Sequence, residues 1–263
     1  RRPHRQEKVA GTPEAIPGTE GHLGRERPQP PPIRLTPTLD VGGVGVKRIG
    51  TDRRCLTALR NQRVPGIDVV LVDNESTDDT VAIAEAHGVT IRRIAREDFS
   101  YGRALNIGID TARHDVVALL SSHCVPIDEL WADYLLAHLG PDGDPLVCGV
   151  YGRQEPMPDT SAIDRRDLWT TFRDERVRQR QDYFFHNANS GIRKTIWRDE
   201  PFDEVIRGVE DREWGKRMIQ LGHEIVYEPH LRVYHQHGIH QGRDEGRAKR
   251  VAEVIDYIRT SAP

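Results

Sequence analysis

The chain has 263 residues, 37% hydrophobic and 30% charged, with a formal net charge of −3. That length holds one large domain or two small ones, and interspersed acids and bases create no basic field to recruit nucleic acid. No apolar run approaches the ~20 residues that span a bilayer, and the Arg-rich start lacks a signal peptide's hydrophobic stretch, so the expectation is a cytoplasmic chain without a transmembrane segment, peripheral membrane association being the variant.

Residues 1–40 carry eight of the seventeen prolines, including Pro30-Pro31-Pro32, and show neither helical nor strand periodicity. They predict a disordered or loosely packed tail ahead of a single domain at 41–263. Gly42, Gly43, Gly45 and Gly50 follow, in a spacing that fits neither G-x-G-x-x-G nor the P-loop pattern. Helices and strands then alternate, which is an α/β signature. A short helix is expected over 54–62 and a strand over Ile67–Asp73. Ser76, Thr77 and Asp78 offer caps for a helix at 79–87, closed by Gly88. A strand at 89–94 precedes an amphipathic helix marked by Ala104, Leu105, Ile109 and Ala112, and the apolar run Val116–Leu120 reads as a buried parallel strand. A helix at 128–139 stops at Gly140-Pro141, a strand is expected at 146–151, and 152–189 is polar and irregular with a helix near 165–178. Trp214, Met218 and Leu221 recur at helical spacing, so a helix starts near Glu210 and ends at Gly222. Two short strands, 224–227 and 231–234, and a charged helix at 244–259 complete the chain. Cys55, Cys124 and Cys148 lack C-x-x-C spacing and read as reduced, buried thiols.

Three clusters carry chemistry. Ser121-Ser122-His123-Cys124 ends the buried strand, so its polar groups belong at a carboxyl edge, where open α/β sheets bind ligands. Glu210-Asp211 stands in the first turn of its helix, where acids also gain from the helix dipole. In His235-Gln236-His237 the two imidazoles lie at i and i+2 of an extended segment and point the same way. Together they suggest a metal–diphosphate site facing a carboxylate base. Asp73 lies at a strand end, where a carboxylate can accept from a base imide or from ribose hydroxyls, or can cap the following turn.

The ordered set of Asp73-Asn74-Glu75-Ser76-Thr77-Asp78, Gly102-Arg103-Ala104-Leu105-Asn106, Ser121-Ser122-His123, Asn187-Ala188-Asn189-Ser190-Gly191 and Glu210-Asp211 resembles the family 2 glycosyltransferases, in particular the bacterial rhamnosyltransferase-like branch. The resemblance runs over about 51–240. It implies a GT-A fold with a mostly parallel central sheet flanked by helices, a nucleotide-diphosphate sugar donor, and inversion at the anomeric carbon. It assigns Asp73 to the nucleoside, places Arg103, Asn106, Ser121, Ser122 and Asn189 around the donor, and makes Asp211 the base with Glu210 orienting donor or acceptor. Ser121-Ser122-His123 stands where the family has D-x-D, and resembles a D-x-H variant in which the histidine is a metal ligand. His123, His235 and His237 are thus the expected ligands of a divalent cation, and imidazoles favour Mn²⁺ over Mg²⁺. The acceptor is a saccharide, a lipid-linked glycan or a small metabolite. Two other readings stay open. Ser121 in place of an aspartate suits a degenerate protein that binds nucleotide sugar without turnover, and four histidines within 230–240 suit a metal-dependent hydrolase.

Overall fold

The computed structural model describes residues 35–41, 49–206 and 208–235. Strand β1 (Leu35–Val41) and helix α1 (Ile49–Arg60) precede β2 (Val70–Asp73), α2 (Thr80–Ala86), β3 (Thr90–Arg93), α3 (Tyr101–Thr111) and β4 (Val116–Ser121). Then come β5 (Cys124–Pro126), α4 (Trp131–Leu139), β6 (Val147–Pro156), α5 (Ala162–Thr171) and β7 (Val177–Gln179). The described residues close with β8 (Asn189–Arg193), α6 (Lys194–Asp199), α7 (Glu210–Gln220) and β9 (Glu224–His235). The nine strands form one mixed sheet in the order β3-β2-β1-β4-β8-β6-β9-β5, with β7 on β9. It is parallel from β3 to β4, β8 runs antiparallel to both β4 and β6, and β6 and β9 are again parallel.

Strand β4 shows why the sheet is covered on both faces. Val116, Ala118 and Leu120 point into one core with Leu59, Ile83, Trp131 and Leu135, from α1, α2 and α4. Val117 and Leu119 point into the other with Ile109, Leu168, Trp197 and Trp214, from α3, α5, α6 and α7. A strand buried on both sides has no polar face, which is why its sequence is a continuous apolar run. Two consecutive residues where β8 passes into α6 fasten helices of the two faces: Arg193 donates to the carbonyls of His138 and Leu139 at the end of α4, and Lys194 to those of Asp110 and Ala112 at the end of α3. Both satisfy carbonyls that a helix C-terminus leaves without partners. Cys55, Cys124 and Cys148 are buried and form no disulfide, and burial pushes the Cys148 thiol up to about 12. Among the described residues no helix is long and apolar enough to cross a membrane.

Several elements depart from expectation. The first strand lies at 35–41, so the boundary drawn between tail and domain at residue 40 falls inside β1. Its Pro37 argues against a central strand, but β2 joins β1 only from Thr38 onward, so Pro37 sits where the strand has a single neighbour, β4. The helix expected at 165–178 covers 162–171, and the residues after it turn into β7. The stretch 189–193, to which the sequence assigned no element, is the middle strand β8. The two strands after Gly222 are one, β9. Residues 1–34 and the helix expected at 244–259 lie outside the described residues.

The short β7 is held by charge. Arg176, Arg178 and Arg180 share one side of it and pair with Glu228 and Glu224 on β9. Glu228 is fully buried and also meets His138 Nε2 and His230 Nδ1, each at 2.9 Å. Burial pushes its carboxyl up, but the hydrogen bonds from His138 and His230 and the charge of Arg176 outweigh it and hold the group at about 2, against an ordinary 4.5. Because the folded value is the lower one, this stabilisation is complete above about pH 4.5 and is lost as pH falls toward 2. Glu228→Gln should therefore lower unfolding free energy by roughly 2 kcal/mol at pH 7, and by much less at pH 3. Urea titrations at the two pH values measure this, and an equal loss at both would show that the ionised form is not what holds β7.

Candidate functional site

The apolar run of β4 ends at Ser121, and the turn Ser122-His123 leads directly into β5, which pairs antiparallel with the far end of β9. In that pairing Cys124 stands opposite His235, and His235 is also in register with Pro156 at the end of β6. His123 thereby meets His235 across 112 positions of sequence: the rings stack with centroids 4.8 Å apart and 20° between planes, and their Nε2 atoms are 2.8 Å apart. At that distance both nitrogens cannot carry protons comfortably. Either one imidazole donates to the other, or both lone pairs face one cation. The ligating atoms of His123, Cys124 and His235 all lie within 4.8 Å of one another. Two imidazoles and a thiol, with neutral Ser121 where a carboxylate would stand, fit a borderline transition ion better than Mg²⁺. His237 lies outside the described residues.

The acidic pair reaches the same edge by another route. Helix α7 begins at Glu210, with Glu210, Asp211 and Glu213 in its first turn and no side-chain cap. Asp211 Oδ2 accepts from the main-chain N–H of Asn187 at 3.3 Å, and Oδ1 from Arg212 N–H at 2.8 Å. One residue further, Ala188 C=O accepts from Ser121 N–H at 3.2 Å. The turn 187–188 is thus bonded on one side to the carboxylate and on the other to the strand end that presents His123. Glu210 is buried, and Asp211 half-buried with lone pairs beyond those two bonds.

The other expected residues divide. Asp73 is buried at the carboxyl end of β2, and its Oδ1 accepts from Ser76 N–H at 3.1 Å, so the turn-capping role is realised at this position. Glu75, two residues on, has φ of 51°, a left-handed conformation uncommon for a side chain of its kind. Ser121 and Ser122 stand at the end of β4 beside the imidazoles. Arg103 is engaged in an exposed ion pair with Asp98 at 3.4 Å. Two of the residues expected around the donor are engaged by their own chain. Asn189 Oδ1 accepts from Trp131 Nε1 at 2.8 Å, and Nδ2 donates to Leu231 O at 2.7 Å and Arg153 O at 3.2 Å. Asn106 likewise holds Trp197, Phe202 and Glu204. Both amides lie at junctions of packed elements: the chain itself takes all four hydrogen-bonding positions of Asn106 and three of the four of Asn189, whose side chain is fully buried.

Residues not expected from sequence line the same turn. Asn187 has both carboxamide atoms buried without a partner among the described residues, and Asn74 Oδ1, next to Asp73 at the end of β2, is likewise buried without one. His186 Nδ1 accepts from Ala188 N–H at 3.3 Å and lies 3.1 Å from Gln154 Nε2, which leaves its proton on Nε2. The signal for Asn187 is the asparagine-rich motif itself, in which turn and strand positions alternate in role. A cavity at the opposite edge, among Asp68, Thr90, Arg92, Thr111 and Arg113, has no such convergence, and Asp68 there is paired with Arg113 and His114.

The sequence profile of Glycosyl transferase family 2 matches residues 52–199. EpsH of Bacillus subtilis (strain 168), named a glycosyltransferase, is 29% identical over 126 residues, which is 47% of this chain and 36% of that protein. The O-antigen chain rhamnosyltransferase WbaN of Salmonella anatum is 26% identical over 192 residues, 68% of this chain and 60% of its own length. The match therefore spans between about a third and three fifths of these relatives. A mannosyltransferase of Pyrobaculum calidifontis, solved with GDP-Man and Mn²⁺, superposes with a TM-score of 0.62 at 16% identity, over 87% of this chain and 65% of that one. The fold is the GT-A fold, as the sequence motifs implied.

The structural role of Asn189 is open to test by unfolding. Asn189→Ala leaves a buried indole N–H and two buried carbonyls without this partner, at about 1–3 kcal/mol for each group that finds no other. A loss of about 3 kcal/mol is expected in urea titrations followed by tryptophan fluorescence, and a loss below about 1 kcal/mol would mean that water replaces the amide.

Proposed function

We propose that this chain, which belongs to glycosyl transferase family 2, moves a sugar from a nucleotide-diphosphate donor to an acceptor hydroxyl, with inversion. The observation that carries the reading is the turn 187–188, whose two main-chain hydrogen bonds tie Asp211 to Ser121 and so to the imidazole pair. A base and a phosphate-facing cluster at one sheet edge are what displacement of a diphosphate by a hydroxyl requires.

On this reading Asp211 accepts the acceptor's proton as the oxygen attacks the anomeric carbon from the face opposite the diphosphate. Asn187 N–H orients that carboxylate, and buried Glu210 sets the acceptor or donor beside it. Asp73 and Asn74 Oδ1 read the nucleoside at the end of β2. His123 and His235, with Ser121 and Ser122 beside them, face the diphosphate. A divalent cation held by His123 and His235, Mn²⁺ in preference to Mg²⁺, would offset the charge of the leaving nucleoside diphosphate. The presence of GDP-Man and Mn²⁺ in the mannosyltransferase complex supports both the donor class and the cation. The acceptor is a hydroxyl of a saccharide, a lipid-linked glycan or a small metabolite.

The degenerate-binder reading draws on Ser121, which supplies no anionic ligand. The hydrolase reading draws on histidine density, but His230 is turned away to Glu228 and stacks on Tyr134.

Thermal-shift screening of UDP-, GDP- and dTDP-sugars with Mn²⁺, followed by product analysis with the stabilising donor, separates the three readings. Sugar appearing on an acceptor supports transfer, donor cleavage unaffected by acceptors supports hydrolysis, and stabilisation without turnover supports binding alone. Asp211→Asn should reduce kcat by about 10²- to 10⁴-fold with donor affinity unchanged; full retention of rate would remove Asp211 as the base.

The ligand set also makes a calorimetric prediction. With neutral imidazoles and no carboxylate, the cation lacks an anionic partner until a diphosphate arrives, so Mn²⁺ should bind much more tightly in the presence of UDP or GDP than alone. His123→Ala and His235→Ala should each weaken that binding about tenfold or more, an energy of ~1.4 kcal/mol. Unchanged Mn²⁺ titrations in both variants would remove the pair from the metal site.

A further inference from the structure

We infer that Asn106 is a positioning residue, which sets the place of Asp211 by pinning the segment that leads into α7 and does so without touching the donor. The inference rests on the reading of Asp211 as base. Asn106 faces that segment from the middle of α3. Its Oδ1 accepts from Trp197 Nε1 at 2.9 Å and from Phe202 N–H at 3.1 Å. Its Nδ2 donates to Phe202 C=O at 2.9 Å and to Glu204 Oε1 at 3.0 Å. A side-chain amide has two donor hydrogens and two acceptor lone pairs, and all four are engaged. They grip both main-chain groups of Phe202 and so fix that residue's peptide planes as well as its place.

Two further observations show that the grip is close and is transmitted. Gly102, one turn earlier on α3, has no room for a side chain: a Cβ there would lie 2.0 Å from Asp203 C=O. The segment therefore lies directly against the helix. From the other side α7 holds the same stretch, with Trp214 Nε1 donating to Glu200 C=O at 2.9 Å and Arg217 to Pro201 C=O at 2.7 Å. Residues 200–204 are thus clamped between α3 and α7, and α7 cannot slide along its axis without breaking one set of bonds. That axis sets whether Asp211 stays within 3.3 Å of Asn187 N–H. A carboxylate displaced by about an ångström from a reacting hydroxyl costs on the order of 10²-fold in rate.

The test uses the full chain and the donor that stabilises it best, with Asn106→Ala and Asn106→Asp. The aspartate keeps the acceptor for Trp197 and Phe202 but repels Glu204. Expected for Asn106→Ala is a kcat lowered by about 10- to 100-fold with donor Kd within about twofold of the parent and Mn²⁺ dependence unchanged. Asn106→Asp should fall between. Hydrogen exchange should quicken at the amides of 202–211. Should Asn106→Ala fail to fold, Glu204→Ala removes one of the four bonds at an exposed position, and the same split, smaller in size, is expected. A donor Kd that rises in step with the loss of kcat would make Asn106 a donor contact and overturn the inference. So would an unchanged kcat, or exchange over 202–211 at the parent rate. An active Asp211→Asn variant would instead sink the base assignment, and the hydrogen-exchange result would still decide the clamp.

Discussion

The buried carboxamide of Asn189 is the joint on which the site depends. It sits at the start of the middle strand, fully enclosed, and binds the indole of Trp131 on α4, the carbonyl of Arg153 on β6 and that of Leu231 on β9. A glycine makes this possible. A Cβ at Gly152 would lie 2.0 Å from Leu231 O and 2.5 Å from Asn189 Nδ2, so only a residue without a side chain leaves space for the amide between the two strands. An amide in such a place is worth more for what its removal would strand than for the net strength of its bonds. Its satisfaction by three separate elements fixes the depth and tilt of β8. The residues just before it, Asn187 and Ala188, are fixed with it, and they are the ones that touch Asp211 and Ser121.

Strand direction explains why these contacts fall at one edge. Because β4 runs parallel to β1 and antiparallel to β8, its carboxyl end lies beside the amino end of β8, and Ser121 meets Ala188. β9 runs parallel to β6 along one edge and pairs antiparallel with β5 along the other, so that His235 ends both ladders, opposite Pro156 and Cys124. The carboxyl ends of β2, β4, β6 and β9 and the entry into β8 therefore share a rim, and each brings polar groups where the ladder hydrogen bonds run out. Charge does at β7 what packing does elsewhere. Its arginines alternate with Val177 and Gln179, and two glutamates of β9 receive them. Burying Glu224 and Glu228 is tolerable only because each meets more than one donor.

Much of this was legible in the sequence, for a physical reason. β2, β3 and β4 and helices α2, α3, α4 and α7 show periodicities that follow from burial on one or two faces, and these carry through to the structure with ends shifted by a few residues. The elements that escaped are those in which a local rule is overridden by a neighbour. Pro37 is foreign to a central strand until β2 is known to begin beside Thr38. Asn-Ser-Gly-Ile-Arg looks like a loop, yet Asn189 and Ser190 are wholly buried and Gly191 is required, since a Cβ there would meet Leu135 at 2.7 Å. β5 has only three residues and exists because β9 is long enough to receive it.

The site divides along the same line. Position along the chain was enough to bring His123, His235 and Asp211 to one rim, since each stands at or just beyond an end of an element that an apolar pattern marks. Function within the asparagine-rich motif was not, because sequence does not tell a ligand-facing amide from a structural one. Both asparagines have the same chemistry, and what separates them is the neighbourhood. Asn189 enters a strand between β4 and β6, with its amide in the space that Gly152 leaves, where only the chain itself can meet it. Asn187 stands in the turn before it, with its main chain bound to Asp211 and its carboxamide enclosed without a protein partner among the described residues. An enclosed amide in that condition is costly unless something completes it.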